Sequence, residues 1–405
     1  MAGGGPAGVI LGYLLARAGI ETVVFEKHKD FLRDFRGDTV HPSTLDVIDE
    51  LGLLEEFLAL PHQEVRQLRG QVGGTPVRIA DFSHVPTRCK FIALMPQWHL
   101  LNFLAERGAR FPTFQLHKQA QVQGLIESHG RVSGVRVDTP EGPVEVTADL
   151  VIGADGRHST VRSSAGLQVR DLGSPIDVLW LSLSRKRDDS AETLGYFDRG
   201  LVLVTLDRGD YWQCAFVIRK DGMAELKDRG IDYLRTQIGR IVPWFADRVG
   251  ELRSWDDVKL LTVKVDRLLQ WWKPGLLCIG DAAHAMSPIG GVGINLAIQD
   301  AVATANILAA PLQAGALTDG HLAAVQQRRM FPTRFTQRLQ ILAQNRIIGP
   351  VLTTDRPLTV PWPLRLLGHS AWLRRIPARI VGVGVRPEHV RTASSVSLVP
   401  PKLRE

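Results

Sequence analysis

The sequence opens on Gly3-Gly4-Gly5-Pro6-Ala7-Gly8, and this hexapeptide limits the fold more than any other feature. An apolar, helix-like stretch and then Val23-Val24-Phe25-Glu26 follow it, which together make the first half of a βαβ unit. At this spacing Gly3 permits a tight turn, Gly5 lets the backbone approach a diphosphate, and Gly8 lets helix pack on strand. The helix that starts at Pro6 and Ala7 turns its positive end toward such a phosphate. Glu26 falls at the end of the next strand, where a carboxylate accepts hydrogen bonds from the hydroxyls of a ribose. The fold class that follows is α/β with a parallel sheet. A strand of about five residues normally precedes the first glycine, and here only Met1 and Ala2 do. The expectation is therefore a start codon upstream of Met1. Without that strand, the strand ending at Glu26 is expected to lose ladder partners.

Composition removes several classes. A chain of 405 residues with 44% hydrophobic content supports two or three domains and a large core. Its three cysteines, Cys89, Cys214 and Cys278, are far apart, so neither a disulfide framework nor a zinc knuckle is expected, and the compartment reads as reducing and cytoplasmic. Lys and Arg outnumber Asp and Glu by 49 to 42, a net charge of +7 that favours anionic partners such as phosphorylated cofactors. Nucleic acid is not expected as a partner, because bases and acids are interleaved and no recognition motif occurs. Val9 to Ala16 mimics a signal peptide but lacks a basic flank in front. The uncharged run Ala282 to Gln299 is interrupted by His284, Pro288, Asn295 and several glycines, which makes it a poor lipid-facing span.

Along the chain, Ser43 and Asp46 read as a capping box opening a helix that runs to Leu58. Short strands are expected from Gln67 to Phe82 and from Asp177 to Arg219. Between them lie a helix (Leu100 to Arg107), a β-rich stretch (Phe114 to Val146) and a short strand (Asp149 to Ile152) entering a glycine turn. After Trp272 the order is again strand, glycine turn and helix, then a long helix from about Asp319 to Arg346 and a tail rich in Pro, Trp and Arg. The expected organisation is a discontinuous nucleotide domain (1–66, 91–170 and 270–346), an inserted, mainly β domain (67–90 and 171–269) and a C-terminal helical segment (347–405).

Two more strand-to-glycine turns carry acids and bases. One is Val151-Ile152-Gly153-Ala154-Asp155-Gly156-Arg157-His158. The other is Leu276-Leu277-Cys278-Ile279-Gly280-Asp281-Ala282-Ala283-His284, which continues to Pro288-Ile289-Gly290-Gly291-Val292-Gly293-Ile294-Asn295 and a helix from Leu296. In this order, with a β-rich region between them, the three motifs resemble the flavin-dependent aromatic hydroxylases. These single-component FAD monooxygenases include para-hydroxybenzoate hydroxylase and the tetracycline-modifying enzymes. The resemblance spans roughly residues 3 to 310.

The resemblance implies a Rossmann-like FAD-binding domain. Gly3, Gly5, Pro6, Ala7, Gly8, Glu26 and Lys27 match the positions around the ADP half of FAD, while Arg36 and Gln97 match polar contacts to the pyrophosphate and ribityl chain. Asp155 and Gly156 match a motif used for both FAD and reduced nicotinamide. Gly280 and Asp281 match the ribityl-binding turn, and Pro288, Gly291, Val292, Gly293, Ile294 and Asn295 the segment facing the flavin pyrimidine. That last placement has a physical reason of its own, since the N-terminus of a helix offers free N–H groups to an anionic flavin edge. With a single G-x-G-x-x-G, NAD(P)H is expected as a transient reductant without a fold of its own. The implied reaction is hydroxylation of an aromatic or polyketide-like molecule by O2 through a flavin C4a-hydroperoxide, with no catalytic side chain and no metal. The substrate pocket is expected between the inserted sheet and the flavin, with Trp180, Tyr196, Trp212 and Phe216 as candidate liners.

Bland readings stand beside these. Asp281 could cap a helix, Arg36 could be a solvated charge, His284 reads as packing rather than as a base, and His41 is given no role. A halogenase of the same fold lacks its Trp-x-Trp-x-Ile-Pro signature here. The tail from Trp362 to Arg375 admits a membrane-associated quinone or isoprenoid oxidoreductase, although a helix packed on the FAD domain is preferred. A flavin-free binding protein is the remaining alternative.

Overall fold

The computed structural model describes residues 1–32, 39–189 and 193–394. Its first sheet is built from two parallel pairs. Thr22–Glu26 pairs with Phe114–Lys118, and Val151–Gly153 pairs with Leu276–Cys278, which Trp272–Lys273 flanks antiparallel. Ala2 joins the two pairs through parallel bridges to Phe25 and Gly153. The Ala2 amide donates to Ile152 O at 2.8 Å, the Gly3 amide to Phe25 O at 2.9 Å, and the Phe25 amide to Met1 O at 2.9 Å. The expected loss of ladder partners beside Glu26 is therefore partial: Met1 to Gly3 supply a single bridge at Phe25, and the strand Thr22–Glu26 has a full ladder only with Phe114–Lys118.

Helix Pro6–Arg17 lies against this sheet, buried over nearly its whole length, and packs on the long helix Gly293–Gln313. Gly12 makes the approach possible, since a Cβ there would fall 2.8 Å from Val24 and 2.9 Å from Phe114. The segment Ile289–Gln313 is long and apolar enough to cross a membrane, with an 18-residue stretch of mean hydropathy 1.3, yet 78% of that stretch is buried inside the protein. Its apolarity is that of a core helix.

A second sheet has seven strands in the order Lys259–Leu261, Ile176–Ser184, Tyr211–Arg219, Leu201–Asp207, Leu194–Asp198, Gln67–Val72 and Thr75–Asp81. Strand alternation gives it two different faces. Leu179, Leu181, Leu203, Trp212, Cys214 and Phe216 pack with Leu234, Ile238 and Phe245 from the helical crossover after the sheet. Val178, Val202, Ala215 and Val217 face the opposite way and pack with Ile289, Ile348 and Val351. The crossover is latched by the buried pair Asp189–Arg248 at 2.6 Å, and Trp212 Nε1 also donates to Asp189 at 2.8 Å.

Several local expectations are corrected. The helix expected through Leu58 is two, Pro42–Glu50 and Leu54–Leu58, separated where Gly52 turns to φ +72°. His41, not Ser43, occupies the N-cap, because Pro42 supplies the first helical residue without needing a donor. Ser43 Oγ instead donates to Asn295 Oδ1, and Asp46 accepts the Arg88 amide. The tail helices Trp362–His369 and Arg375–Gly382 both pack on the edge strand Thr75–Asp81 of the second sheet, covering an edge that would otherwise be open. Beyond them the chain straps the first sheet's helices. Glu388 pairs with Arg328 and Arg329, the Val390 amide donates to Glu50, Asn306 donates to His389 O, and Arg17 donates to Thr392 O.

Candidate functional site

The three glycine turns meet at one end of the parallel strands, and their missing side chains show how closely. Gly3 adopts φ +104°, and a Cβ on it would lie 2.8 Å from Asp155 Cα and overlap Ala154 O, so the first and second turns are in contact. A Cβ on Gly153 would lie 3.0 Å from Cys278 Sγ, which ties the second turn to the third. Gly280, at φ +59°, is wedged between Ala7 and Ala297, at 3.1 and 3.3 Å from its absent Cβ. Gly8 sits directly on Gly3 O, while Gly5 has nothing within 4 Å where its side chain would point. Within the first turn Gly3 and Gly8 are thus demanded by protein contacts, whereas Gly5 opens onto free space.

Each acid has a defined place. Glu26 ends its strand buried, taking the Gly4 amide on Oε2 at 3.1 Å and the His28 amide on Oε1 at 3.0 Å. Asp155 accepts from Ser159 Oγ at 2.5 Å and from the Val161 amide at 3.0 Å, fixing the turn that contains Gly156, φ +84°. Asp281 lies in the turn Gly280–Ala282 rather than capping a helix, and its side chain, 33% exposed, stands 3.6 Å from Arg157.

The loop before the long helix is held from both sides. The Gly291 amide donates to Pro288 O at 3.0 Å, and its carbonyl accepts from Thr39 Oγ1 at 2.8 Å and lies 3.1 Å from His41 Nε2. Asn295 Oδ1 accepts from Ser43 Oγ at 3.0 Å and Thr44 Oγ1 at 2.6 Å. In this first turn the helical ladder has its Leu296 amide bonded to Val292 O, so the amides of Gly293, Ile294 and Asn295 belong to the donors a helix start leaves for a ligand.

A family model described as "FAD binding domain" matches residues 1–339. The 6-methylpretetramide 4-monooxygenase of Streptomyces rimosus is 34% identical over 380 residues, 92% of this chain and 90% of that protein. The chain belongs to this FAD-binding monooxygenase family. The 12-dehydrotetracycline 5-monooxygenase/anhydrotetracycline 6-monooxygenase of Streptomyces rimosus subsp. rimosus is 28% identical across 75% of this chain and 60% of that one. Two solved structures share the fold. A probable FAD-dependent monooxygenase from Pseudomonas aeruginosa has a TM-score of 0.74 at 23% identity, covering 87% of this chain and 95% of that one. The OxyS anhydrotetracycline hydroxylase of Streptomyces rimosus has a TM-score of 0.73 at 24% identity, covering 95% and 76%. This chain is an FAD-dependent monooxygenase, with NAD(P)H as its reductant.

The residues fit FAD. Open space at Gly5, a buried carboxylate at the strand end in Glu26 and the donors at the start of the Gly293 helix are what a dinucleotide with an anionic isoalloxazine edge requires of a monooxygenase in this family. Lys27 is exposed just beyond Glu26, and Gln97 opens the helix Gln97–Gly108. Arg36 lies outside the described residues. Beside Asp281 the surface is basic. His158 is held below its ordinary pKa by desolvation and then by the charges of Lys264, Arg157, Arg162 and Lys27.

The four expected pocket liners do not share a face. Tyr196, Trp212 and Phe216 belong to the core under the helical crossover, and only Trp180 lies on the side of Ile289. The physical reason is that both faces of this sheet are covered, so alternation alone cannot say which one looks toward the flavin.

Sequence reading also passed over Asp300. It sits in the middle of a helix, where an acid normally reads as a solvated face, yet it is fully buried among His284, Arg329 and the third glycine turn.

Proposed function

We propose that the chain hydroxylates a phenolic, fused-ring polyketide, using FAD, NAD(P)H and O2. The observation that carries this reading is identity of 34% across 92% of the chain with a 6-methylpretetramide monooxygenase, supported by relatives named for tetracyclines. FAD, when bound, accepts a hydride from NAD(P)H and activates O2 for transfer of one oxygen atom. The protein's part is to bind, orient and exclude water. Gly3, Gly5, Gly8 and Glu26 hold the adenosine diphosphate end, and Asp281 the ribityl chain. The amides of Gly293, Ile294 and Asn295 stabilise negative charge on the flavin pyrimidine. The basic surface of Lys27, Arg157 and Lys264 draws the anionic reductant to the cleft.

The domain division into 1–66, 91–170 and 270–346, then 67–90 and 171–269, then 347–405, belongs to the same proposal and is supported by the separate cores of the two sheets. So does a cytoplasmic location, supported by three free, buried cysteines.

The test is to supply 18O2 with NAD(P)H and a panel of fused-ring phenols to the FAD-loaded chain. One labelled oxygen atom in the product, with substrate-stimulated NAD(P)H oxidation, is the expected result. Label entering from H2 18O instead would overturn the proposal.

A further inference from the structure

Gln213 is 3% exposed in the strand Tyr211–Arg219. Its ladder neighbours are Ser182 on one side and Leu206 on the other. Oε1 accepts a hydrogen bond from Arg208 Nε at 2.8 Å, and Nε2 has no hydrogen-bond partner among the described residues. Arginine can only donate, so it fixes the amide with the oxygen toward Arg208 and the NH2 group turned away. A buried amide donor without an acceptor is costly and calls for a ligand or an equivalent partner.

The surroundings of Gln213 say which partner. Alternation puts it on the face of Ala215 and Val217, and these residues pack with Ile289, the first residue of the turn Ile289–Gly291. Its cross-strand neighbour Leu206 packs on the cluster of Ala80, Phe82 and Leu94, and so does Val381, which also packs against Met286, Val292 and Leu296. The 289–292 loop therefore joins the cluster on the face of Gln213 directly at Ile289, and at Val292 it joins, through Val381, the cluster on which Leu206 packs. That loop leads directly into the helix start whose amides face the flavin pyrimidine.

We infer that Gln213 is a substrate-binding residue whose Nε2–H donates to an oxygen acceptor on the aromatic substrate, a phenolate, enolate or ketone oxygen. Arg208 acts as its positioning residue. The apolar neighbours Leu206, Val204 and Ala215 supply contact with the ring, and the amide selects the orientation of the oxygenated edge. This assignment rests on the aromatic-hydroxylase reading above.

The test uses the full chain loaded with FAD and anhydrotetracycline as the probe. Binding is followed by the perturbation of flavin absorbance, and turnover by probe-stimulated NAD(P)H oxidation. Gln213→Leu removes both amide functions. Gln213→Glu keeps the acceptor for Arg208 and replaces only the donor, so it tests the donor in a chain whose local pairing is intact. Both variants are expected to raise the probe's Kd and KM at least about tenfold, as for loss of one buried hydrogen bond, while FAD content and melting temperature hold. Wild-type affinity in both variants, with the wild-type chain binding the probe, overturns the assignment and leaves Nε2 facing packing or a fixed water. A wild-type chain that neither the probe nor any fused-ring phenol perturbs overturns the aromatic-hydroxylase reading, and the assignment with it.

Discussion

Asp300, fully buried on the long helix, accepts the backbone amide of Gly280 at 3.0 Å. The same oxygen accepts His284 Nε2 at 2.6 Å, and the other accepts Arg329 Nε at 2.9 Å. Burial opposes ionisation of Asp300, but His284 and Arg329 overcome it and hold the carboxyl below its ordinary range. The glycine turn that presents Asp281 is thereby fixed to two helices, and through Arg329 to Glu388 of the C-terminal strap.

Asp300→Ala leaves the Arg329 guanidinium and the Gly280 amide without this acceptor. It is expected to destabilise the chain by about 3–5 kcal/mol and to release FAD. Denaturant unfolding and flavin content after gel filtration measure both. A normal flavin content in a folded Asp300→Ala protein would show that the turn does not depend on this anchor.

Gly5→Ala and Gly8→Ala should fail in different ways. A methyl group on Gly5 points into open space, and the residue has φ −76°. The apoprotein should therefore keep its stability within about 0.5 kcal/mol and lose FAD affinity at least about tenfold, by occupying the diphosphate's place. A methyl group on Gly8 overlaps Gly3 O, which should cost about 3 kcal/mol or more of folding stability. Melting of the apoproteins and flavin titration separate the two cases.

His41 provides a pH signature between about 4 and 6.5. Burial lowers its pKa from 6.5 to about 4, against the opposing pull of the Val381 and Gly291 carbonyls. Because the folded value lies below the unfolded one, the unfolded state binds the extra proton in this window. The contribution to stability is complete above about pH 6.5 and declines as pH falls toward 4. His41→Gln should flatten the unfolding free energy over that range. An unchanged slope would place the titrating group elsewhere.

Asp189 acts in a more acidic window. Burial would raise its pKa, but the bonds from Arg248 and then from the Lys186 amide and Trp212 hold it at about 2. The pair's stabilisation is therefore present above about pH 4 and lost as pH falls through 2. Arg248→Ala, which strands the buried carboxylate, should destabilise the second sheet by about 3–5 kcal/mol at pH 7 and by less near pH 2. Tryptophan fluorescence reports it through Trp212 and Trp244, which lie edge to face with ring centroids 5.4 Å apart.

The amino-acid sequence by itself determined the three glycine turns, the carboxylates that follow or flank them and the α/β class. Each of these is a local steric or capping requirement: a positive φ at Gly3 and Gly280, a close approach at Gly8, an acid at a strand end. The motif spacing and order were enough to point to an FAD monooxygenase. Tertiary structure alone decided which residues stand behind those turns. Asp300 and Ser43 look like ordinary helix residues along the chain, and only packing brings them onto Gly280 and Asn295. It also decided that Trp212 and Phe216 lie under the helical crossover while Ala215 and Val217, on the opposite face, pack in a cluster with Ile289 from the loop before the long helix. A period of two divides a strand's residues into two sets, but which set meets which layer is set by the elements that cover each face, and those come from distant parts of the chain.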